Sequence, residues 1–563
     1  MDTGTDHKRI ATQTQRGQLS RRHFLQRGGL LAAGLAALPI LAACGTSLAT
    51  PAPSTAPGGA SAAPSSAPAG GASAAPSAAP ATKAASAAPS SAPAGGASVA
   101  PSAAPATKAA SAAPSGAASG APTAVPLSPT AIAGIPRAKS TAKVTGKYQF
   151  IQNQDFHPDH NAFLRAEIQE FCKVQGWTLD ISYASGFTGN GDLLTTLVGA
   201  VQAGNAPDAF FHDIGVRQYQ SQNVLEKTTD LTKEMIAKYG ETYPGYEDST
   251  FFDNEWWGVP FYGRAGGMYV RTDIFQKAGL DPNKDTDTYD KLRDAALKIS
   301  DPNNKMWGWG MTINRSGDGT SMVQQVLLRF GSQLQDESGQ KISFNSPATV
   351  AGLKWLKETY SDPKWANMLP PGVNSWTDPS NNEAFLAGTI AITDNAGTMY
   401  AKAVLDKVPF AKDILAIPRP KRNSDGKYLD SLAGARLHTI AGTKNKDASY
   451  DLFRHLLSDG VQNKLLEISP GYVLPPYKNT WQNPLVQNDR NAKAAFPLAY
   501  PTDRFTGLRY PGPSSAAVDA IGGGNYYTDM MAEVLQGKSP EDVAKNYQDR
   551  FIQIFKDFGL KGS

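Results

Sequence analysis

YQFIQNQDFHPDHNAFLRAEIQEFCKVQGWTLDISYASGFTGNGDLLTTLVGAVQAGNAPDAFFHD, residues 148–213, is the stretch from which the architecture can be read. Tyr148 and Phe150 open a short strand, and Phe163, Leu164, Ile168 and Phe171 fall on one face of a helix that Gly176 can end. Trp177, Leu179, Ile181 and Tyr183 then alternate with the period of a strand. A second helix carries Leu193, Leu194, Leu197, Val198 and Val201 as its apolar stripe, Gly204 follows it, and Pro207-Asp208-Ala209-Phe210-Phe211 enters a third strand. The order βαβαβ predicts a parallel sheet with right-handed crossovers, hence an α/β fold. Ligands of such sheets sit beyond the carboxyl ends of the strands. The loops Gln152–Asn161 (with Asp155), Gly186–Asp192 and His212–Asp213 are therefore the first candidate contacts.

The chain of 563 residues is not uniform around this stretch. Phe24 is the only Phe, Trp or Tyr before Tyr148, so a hydrophobic core can form only in the C-terminal part. Charge divides at the same place: the overall net charge of +4 hides a body with 42 basic and 48 acidic residues. An acidic body argues against nucleic acid as a partner. The body is also larger than one typical core, which predicts two lobes.

The head carries addressing signals. Residues 30–41 are an apolar run too short to span a bilayer, which needs about 20 residues. Ser20-Arg21-Arg22-His23-Phe24-Leu25 before it resembles a twin-arginine export signal, and Leu41-Ala42-Ala43-Cys44 after it resembles a bacterial lipobox. Residues 1–43 are thus expected to be a lipoprotein signal peptide, with Arg21 and Arg22 as the export signal and Cys44 lipidated. Residues 44–147, rich in Ala, Pro, Ser and Gly, contain a duplication: residues 61–85 recur at 86–110 with one change, Ala74 to Val99. Such a composition cannot bury enough surface to offset its backbone entropy, so a disordered tether is expected there. The one other cysteine, Cys172, sits among Phe171 and Val174 and reads as a small buried hydrophobe.

Within the body several stretches resemble family 1 of the extracellular solute-binding proteins of ABC importers. Gly204-Asn205-Ala206-Pro207-Asp208 is similar to that family's Gly-x-x-Pro-Asp before a strand, and Trp257-Gly258-Val259-Pro260-Phe261 to its hinge signature. Residues 269–280 (YVRTDIFQKAGL) resemble the stretch that follows, with Arg271-Thr272 replacing the usual Asn-Lys. Residues 384–392, Ile417-Pro418, residues 442–446 and residues 537–542 fit later landmarks. The resemblance implies a two-lobed periplasmic-binding-protein-like fold with a hinged interlobe cleft. It places lobe 1 at 148–263 with roughly 437–485 returning, and lobe 2 at 264–436 with roughly 486–563 returning. It implies capture of a small solute, above all a sugar or oligosaccharide, and delivery to ABC permease subunits by a monomer anchored on the outer face of the cytoplasmic membrane, without cofactor or catalysis.

Sugar binding needs flat apolar faces and planar polar groups. Besides Asp155, His212 and Asp213, the candidates are Tyr262 and Arg264 after the hinge signature, Trp307 and Trp309 in Met-Trp-Gly-Trp-Gly, Asn395 and Tyr400 after a strand, and Arg436 at a return hinge. Arg436 and Asp213 could equally form a structural ion pair. Where sugar-binding relatives often place a Trp, near Thr398, the nearest aromatic here is Tyr400. His157, Asp159, His160, His212 and Asp213 offer an alternative, a metal or metal-chelate site, although His157-Pro158-Asp159-His160 is more simply a helix-opening turn. A polysaccharide-processing enzyme is the rival of another class, but Gly-x-Ser-x-Gly, His-Glu-x-x-His, Cys-x-x-Cys and Walker motifs are missing from the sequence.

Overall fold

The computed structural model describes residues 132–186, 191–429, 432, 434–501 and 510–563. The expected signal segment, with Arg21, Arg22 and Cys44, and the expected tether up to residue 131 lie outside the described residues.

Among the described residues, thirteen strands form the framework: β1 (Tyr148–Gln154), β2 (Leu179–Ser185), β3 (Ala209–His212), β4 (Leu225–Glu226), β5 (Phe251–Phe252), β6 (Glu255–Trp256), β7 (Val259–Arg264), β8 (Gly266–Arg271), β9 (Trp307–Trp309), β10 (Ile390–Ala396), β11 (Ile414–Ile417), β12 (Gly434–Ile440) and β13 (Val473–Leu474). The first sheet runs β13-β7-β12-β3-β1-β2, with β4 paired to β12. β1 pairs parallel to both β2 and β3, as the βαβαβ reading requires. The first helix, Pro158–Gln175, buries Phe163, Leu164, Ile168 and Phe171, and ends on Gly176 at φ 76°, a left-handed conformation glycine adopts without a Cβ clash. Cys172 is buried, and burial pushes its thiol up to about 12, which makes it an unreactive filler.

The second sheet runs β11-β8-β10-β9. Each sheet has its own apolar core. One gathers Phe150, Phe171, Phe261, Leu437 and Trp481; the other gathers Met268, Trp309, Val326, Trp355 and Phe551. Helix Pro540–Asp557 buries Val543, Tyr547, Phe551 and Phe555 in the second core, with Ser539 accepting from Asp542 N–H as its cap. The chain passes between the lobes three times: between β7 and β8, between β11 and β12, and between helices Phe496–Ala499 and Ala516–Gly522. At the first crossing only Ala265 separates the two sheets. Its N–H donates to Tyr472 O at 3.0 Å and its carbonyl accepts from Gly397 N–H at 2.9 Å, so the hinge is held from both sides.

Three expected boundaries move. Arg264 belongs to β7 and Gly434–Arg436 to β12, so both lie in lobe 1, because sheet pairing carries each strand past the expected break. Val486, Ala492, Ala495 and Ala499 pack into the first core, which extends the returning segment of lobe 1 beyond residue 485. The last residues assigned to the expected tether pack on the body instead. Ile132, Ile135, Ala142 and Val144 pack on lobe 1, and Arg137 forms a two-pronged pair with buried Glu167 at 2.8 and 2.6 Å.

Candidate functional site

The carboxyl ends of β1, β2 and β3 face the second lobe across a cavity of about 220 Å³. The connections leaving β1 and β3 diverge, so this is the switch point of the sheet, where an open α/β fold leaves a crevice. Lobe 1 lines it with Asn153, Gly186, His212, Asp213 and Arg264. Lobe 2 answers with Ser316, Gly317, Thr320, Ser321 and Gln324, from the start of helix Gly317–Phe330. Gly522–Gly524 and Asn525 close the far side.

Charge in the site is paired. Asp213 accepts from Arg436 Nη1 at 3.1 Å and from Arg264 Nη1 at 3.2 Å. Although burial pushes its carboxyl up, the two guanidiniums hold it below the usual carboxylate value. Arg436 is fully engaged, with Nε donating to Thr250 Oγ1 at 2.8 Å and Nη2 to Ser249 Oγ at 2.6 Å. Asp155 accepts from Phe156 N–H at 2.7 Å and from the Tyr472 hydroxyl, and lies 3.8 Å from Arg264 Nη2. Asn161 holds this loop, its Oδ1 accepting from Asp155 N–H at 2.9 Å and its Nδ2 donating to Asp155 O at 2.6 Å. His212 donates from Nε2 to Ser185 O at 2.9 Å, and burial lowers its pKa, so it is a neutral imidazole.

Some polar atoms in the site are buried without a hydrogen-bond partner: Asn153 Oδ1, Arg264 Nε and Nη2, and Gln324 Nε2. Buried polar groups are normally satisfied, and here the unmet donors and acceptor belong to residues lining one cavity. Its edge is closed by a contact between lobes, where Asp519 of helix Ala516–Gly522 meets the start of helix Val216–Ser221.

Of the ten expected ligand residues, His212, Asp213 and Arg264 line the cavity, while Arg436 and Asp155 hold its charged groups. Tyr262 lies beneath, buried, its hydroxyl 3.2 Å from His160 Nε2. Four expectations are corrected. Trp309 is fully buried in the lobe 2 core, with its indole N–H donating to Tyr360 at 3.0 Å. Its flanking glycines serve packing: a Cβ at Gly308 would meet Ala296 O at 1.9 Å, so the glycine admits the backbone of helix Tyr289–Ile299. Trp307 is half-buried on β9 against Phe385, Ile390 and Met399 of a lobe 2 cluster. Asn395 is buried and donates to Asn382 Oδ1; Tyr400 donates to Asp489 at 3.0 Å. None of the four lines the cavity.

The other histidines turn inward. His157 Nε2 is bonded to Ile468 O at 2.6 Å, and His160 to Ser469 and Tyr262, with burial lowering His160 to about 3. Among the described residues no group of three or more His, Cys, Asp or Glu is arranged to hold a metal. The sequence reading reached Asn153 only as part of the loop Gln152–Asn161 and missed Ser316, Gly317, Thr320, Ser321 and Gln324 of lobe 2. The signal for the latter was the run Ser316-Gly317-Asp318-Gly319-Thr320-Ser321, small and polar at a helix start.

A cavity shared by two α/β lobes around a one-residue hinge defines a hinged ligand-binding protein. The chain belongs to the family described as bacterial extracellular solute-binding protein, which residues 157–463 match. It is 24% identical over 371 residues to the maltotriose-binding protein of Pyrococcus abyssi, covering 64% of this chain and 74% of that one. It is 25% identical over 405 residues to the diacetylchitobiose binding protein DasA of Streptomyces coelicolor, covering 71% and 84%. Among solved structures it shares its fold with maltose-bound MalE3 of T. maritima (TM-score 0.58, 21% identity, 73% of this chain and 99% of that one). It also shares its fold with a solute-binding protein of Agrobacterium radiobacter K84 in complex with ribitol (TM-score 0.60, 19% identity, 73% and 98%). Membership assigns binding rather than catalysis. Among the described residues no helix is long and apolar enough to cross a membrane.

Proposed function

We propose that this protein is the capture component of an ABC importer, taking a carbohydrate between its lobes and presenting it to a membrane permease. The observation that carries the reading is the cavity at the carboxyl ends of β1, β2 and β3, lined from both lobes and holding unmet hydrogen-bond groups on Asn153, Arg264 and Gln324. A solute that satisfies both faces binds the closed form more tightly than the open one, and that differential affinity is the signal a permease can read. The solute leaves unchanged.

The remaining parts suit a monomer working at a surface. Cleavage before Cys44, lipidation of its thiol and export through Arg21-Arg22 would hold the body on the outer face of the cytoplasmic membrane, with the Ala/Pro/Ser/Gly-rich segment as its leash. Asp155, His212, Asp213, Arg264 and Arg436 form the lobe 1 half of the binding surface.

Titration calorimetry of the full chain against a carbohydrate panel, with product analysis of the same mixtures, tests this. Saturable binding with sugar recovered intact is expected. Turnover of any sugar, or no binding across the panel, would overturn it.

A further inference from the structure

Resting on the carbohydrate-capture reading, we infer that the interlobe cavity holds one uncharged sugar ring or a short polyol, and selects against oligosaccharides and charged sugars.

Size is the first ground. At about 220 Å³ the cavity lies below the roughly 300–1,000 Å³ of pockets that enclose drug-sized ligands. One edge of that volume is fixed, because the lobes touch there. Asp519 of lobe 2 accepts from Arg217 N–H at 2.8 Å and Gln218 N–H at 3.3 Å of lobe 1. A run of sugar rings would need the lobes further apart than this contact allows.

The second ground is the kind of wall. None of the described lining residues is Phe, Trp or Tyr; they are Asn, Gly, His, Asp, Arg, Ser, Thr and Gln. A chain of pyranose rings is gripped through stacked apolar faces, whereas hydroxyl-by-hydroxyl bonding suits a small ligand whose surface is mostly oxygen. The aromatic rings expected at the site, on Trp307, Trp309 and Tyr400, are engaged elsewhere in lobe 2.

Charge is the third. Two guanidiniums, Arg264 and Arg436, face two carboxylates, Asp155 and Asp213, and each pairs within 3.8 Å. The lobe 2 face contributes only uncharged groups. A ligand with its own charge would enter without a spare counter-charge, which costs desolvation with no matching gain. What is left over is neutral hydrogen bonding. Asn153, only 2% exposed, offers an unpartnered Oδ1; Gln324 Nε2 and the spare N–H groups of Arg264 offer donors. An acceptor and a donor on lobe 1, facing the Gln324 donor on lobe 2, match a hydroxyl, which both gives and takes.

Calorimetry on the full chain with glucose, galactose, fructose, tagatose, N-acetylglucosamine, ribitol and xylitol, set against maltotriose and glucuronate, decides it. At least one uncharged monomer is expected to bind 100-fold or more tighter than maltotriose and glucuronate. Gln324→Ala and Asn153→Ala should each weaken that monomer tenfold or more. Gln324 sits on a helix surface, so its variant keeps the fold and carries the test if Asn153→Ala does not. An oligosaccharide or glucuronate that binds as tightly as the best monomer overturns the size or charge inference and leaves carbohydrate capture standing. No binding by any member overturns both.

Discussion

Gly215 and Asp519, on opposite lobes, are packed so closely that a Cβ at Gly215 would lie 2.8 Å from the Asp519 Cβ. The glycine is there for approach rather than for its backbone, since its φ of −71° suits any residue. Gly215→Ala should therefore fold normally and hold the lobes apart by its methyl group. Ligand affinity is expected to fall about tenfold or more, ~1.4 kcal/mol, with the ligand-free thermal midpoint nearly unmoved. Unchanged affinity in calorimetry would mean this edge stays open in the bound form.

Asp519 makes closure depend on pH. Burial pushes its carboxyl up to about 6, against the opposing pull of the Gln218 and Arg217 N–H groups and the charges of Arg217 and Arg436. Opening returns the group to water and to an ordinary value near 3.8. A raised pKa in the closed form means that form prefers the protonated acid. Its stabilisation is complete below the ordinary value and is lost as pH rises through 6. Affinity should drop about tenfold between pH 5 and 7.5 through this group alone. His160 and His438, both lowered to about 3 by burial, act on global stability in the opposite direction, losing it as pH falls below 6.5. The measurement is therefore the difference in affinity between wild type and Asp519→Asn at each pH. A variant with the wild-type slope would remove Asp519 from the account.

How much of this was legible in the sequence varies with the range of the interactions. The βαβαβ start, its helix stops at Gly176 and Gly204, and the stripe Val543, Tyr547, Phe551, Phe555 are local patterns, and the structure carries them as written. His212 and Asp213 were found because strand ends are predictable once strands are, and Arg264 because it follows the hinge signature. The lobe 2 face was not, because Ser316, Thr320 and Gln324 reach the cavity only through the packing of helix Gly317–Phe330 on its own core. Trp309 was misplaced for a related reason. An aromatic between glycines can offer its face to a ligand or sit where a helix backbone comes close, and only Ala296 O beside Gly308 tells the two apart.

Trp309→Ala separates those two roles. With the indole fully buried and bonded to Tyr360, the substitution empties a core site of lobe 2 and leaves that hydroxyl without its donor. A loss of about 3–5 kcal/mol in unfolding free energy is expected from the cavity. Affinity measured below the melting range should stay within a few-fold of wild type, since the residue does not line the interlobe cavity. Loss of affinity without loss of stability would return Trp309 to the binding surface.

Arg137 fixes the segment before β1 to lobe 1. Its guanidinium holds both oxygens of Glu167, whose side chain is fully buried and also bonded to His455 Nε2 at 2.5 Å. Neighbouring anchors run to the same lobe: Ser140 bonds Asp451, and Thr145 N–H donates to Asn445 Oδ1 at 2.7 Å. The described contacts of residues 137–145 thus all run to lobe 1. Arg137→Ala strips a buried carboxylate of its main counter-charge, and breaking such a pair costs about 3–5 kcal/mol. Urea unfolding should show that loss, and proteolysis should begin to cut within residues 138–147. Combining Arg137→Ala with Glu167→Gln should recover much of the stability, because the uncompensated charge is gone. Ligand affinity should not change in either variant. A double variant no more stable than Arg137→Ala alone would show that the segment is held by its apolar contacts, Ile132, Ile135 and Val144, rather than by the ion pair.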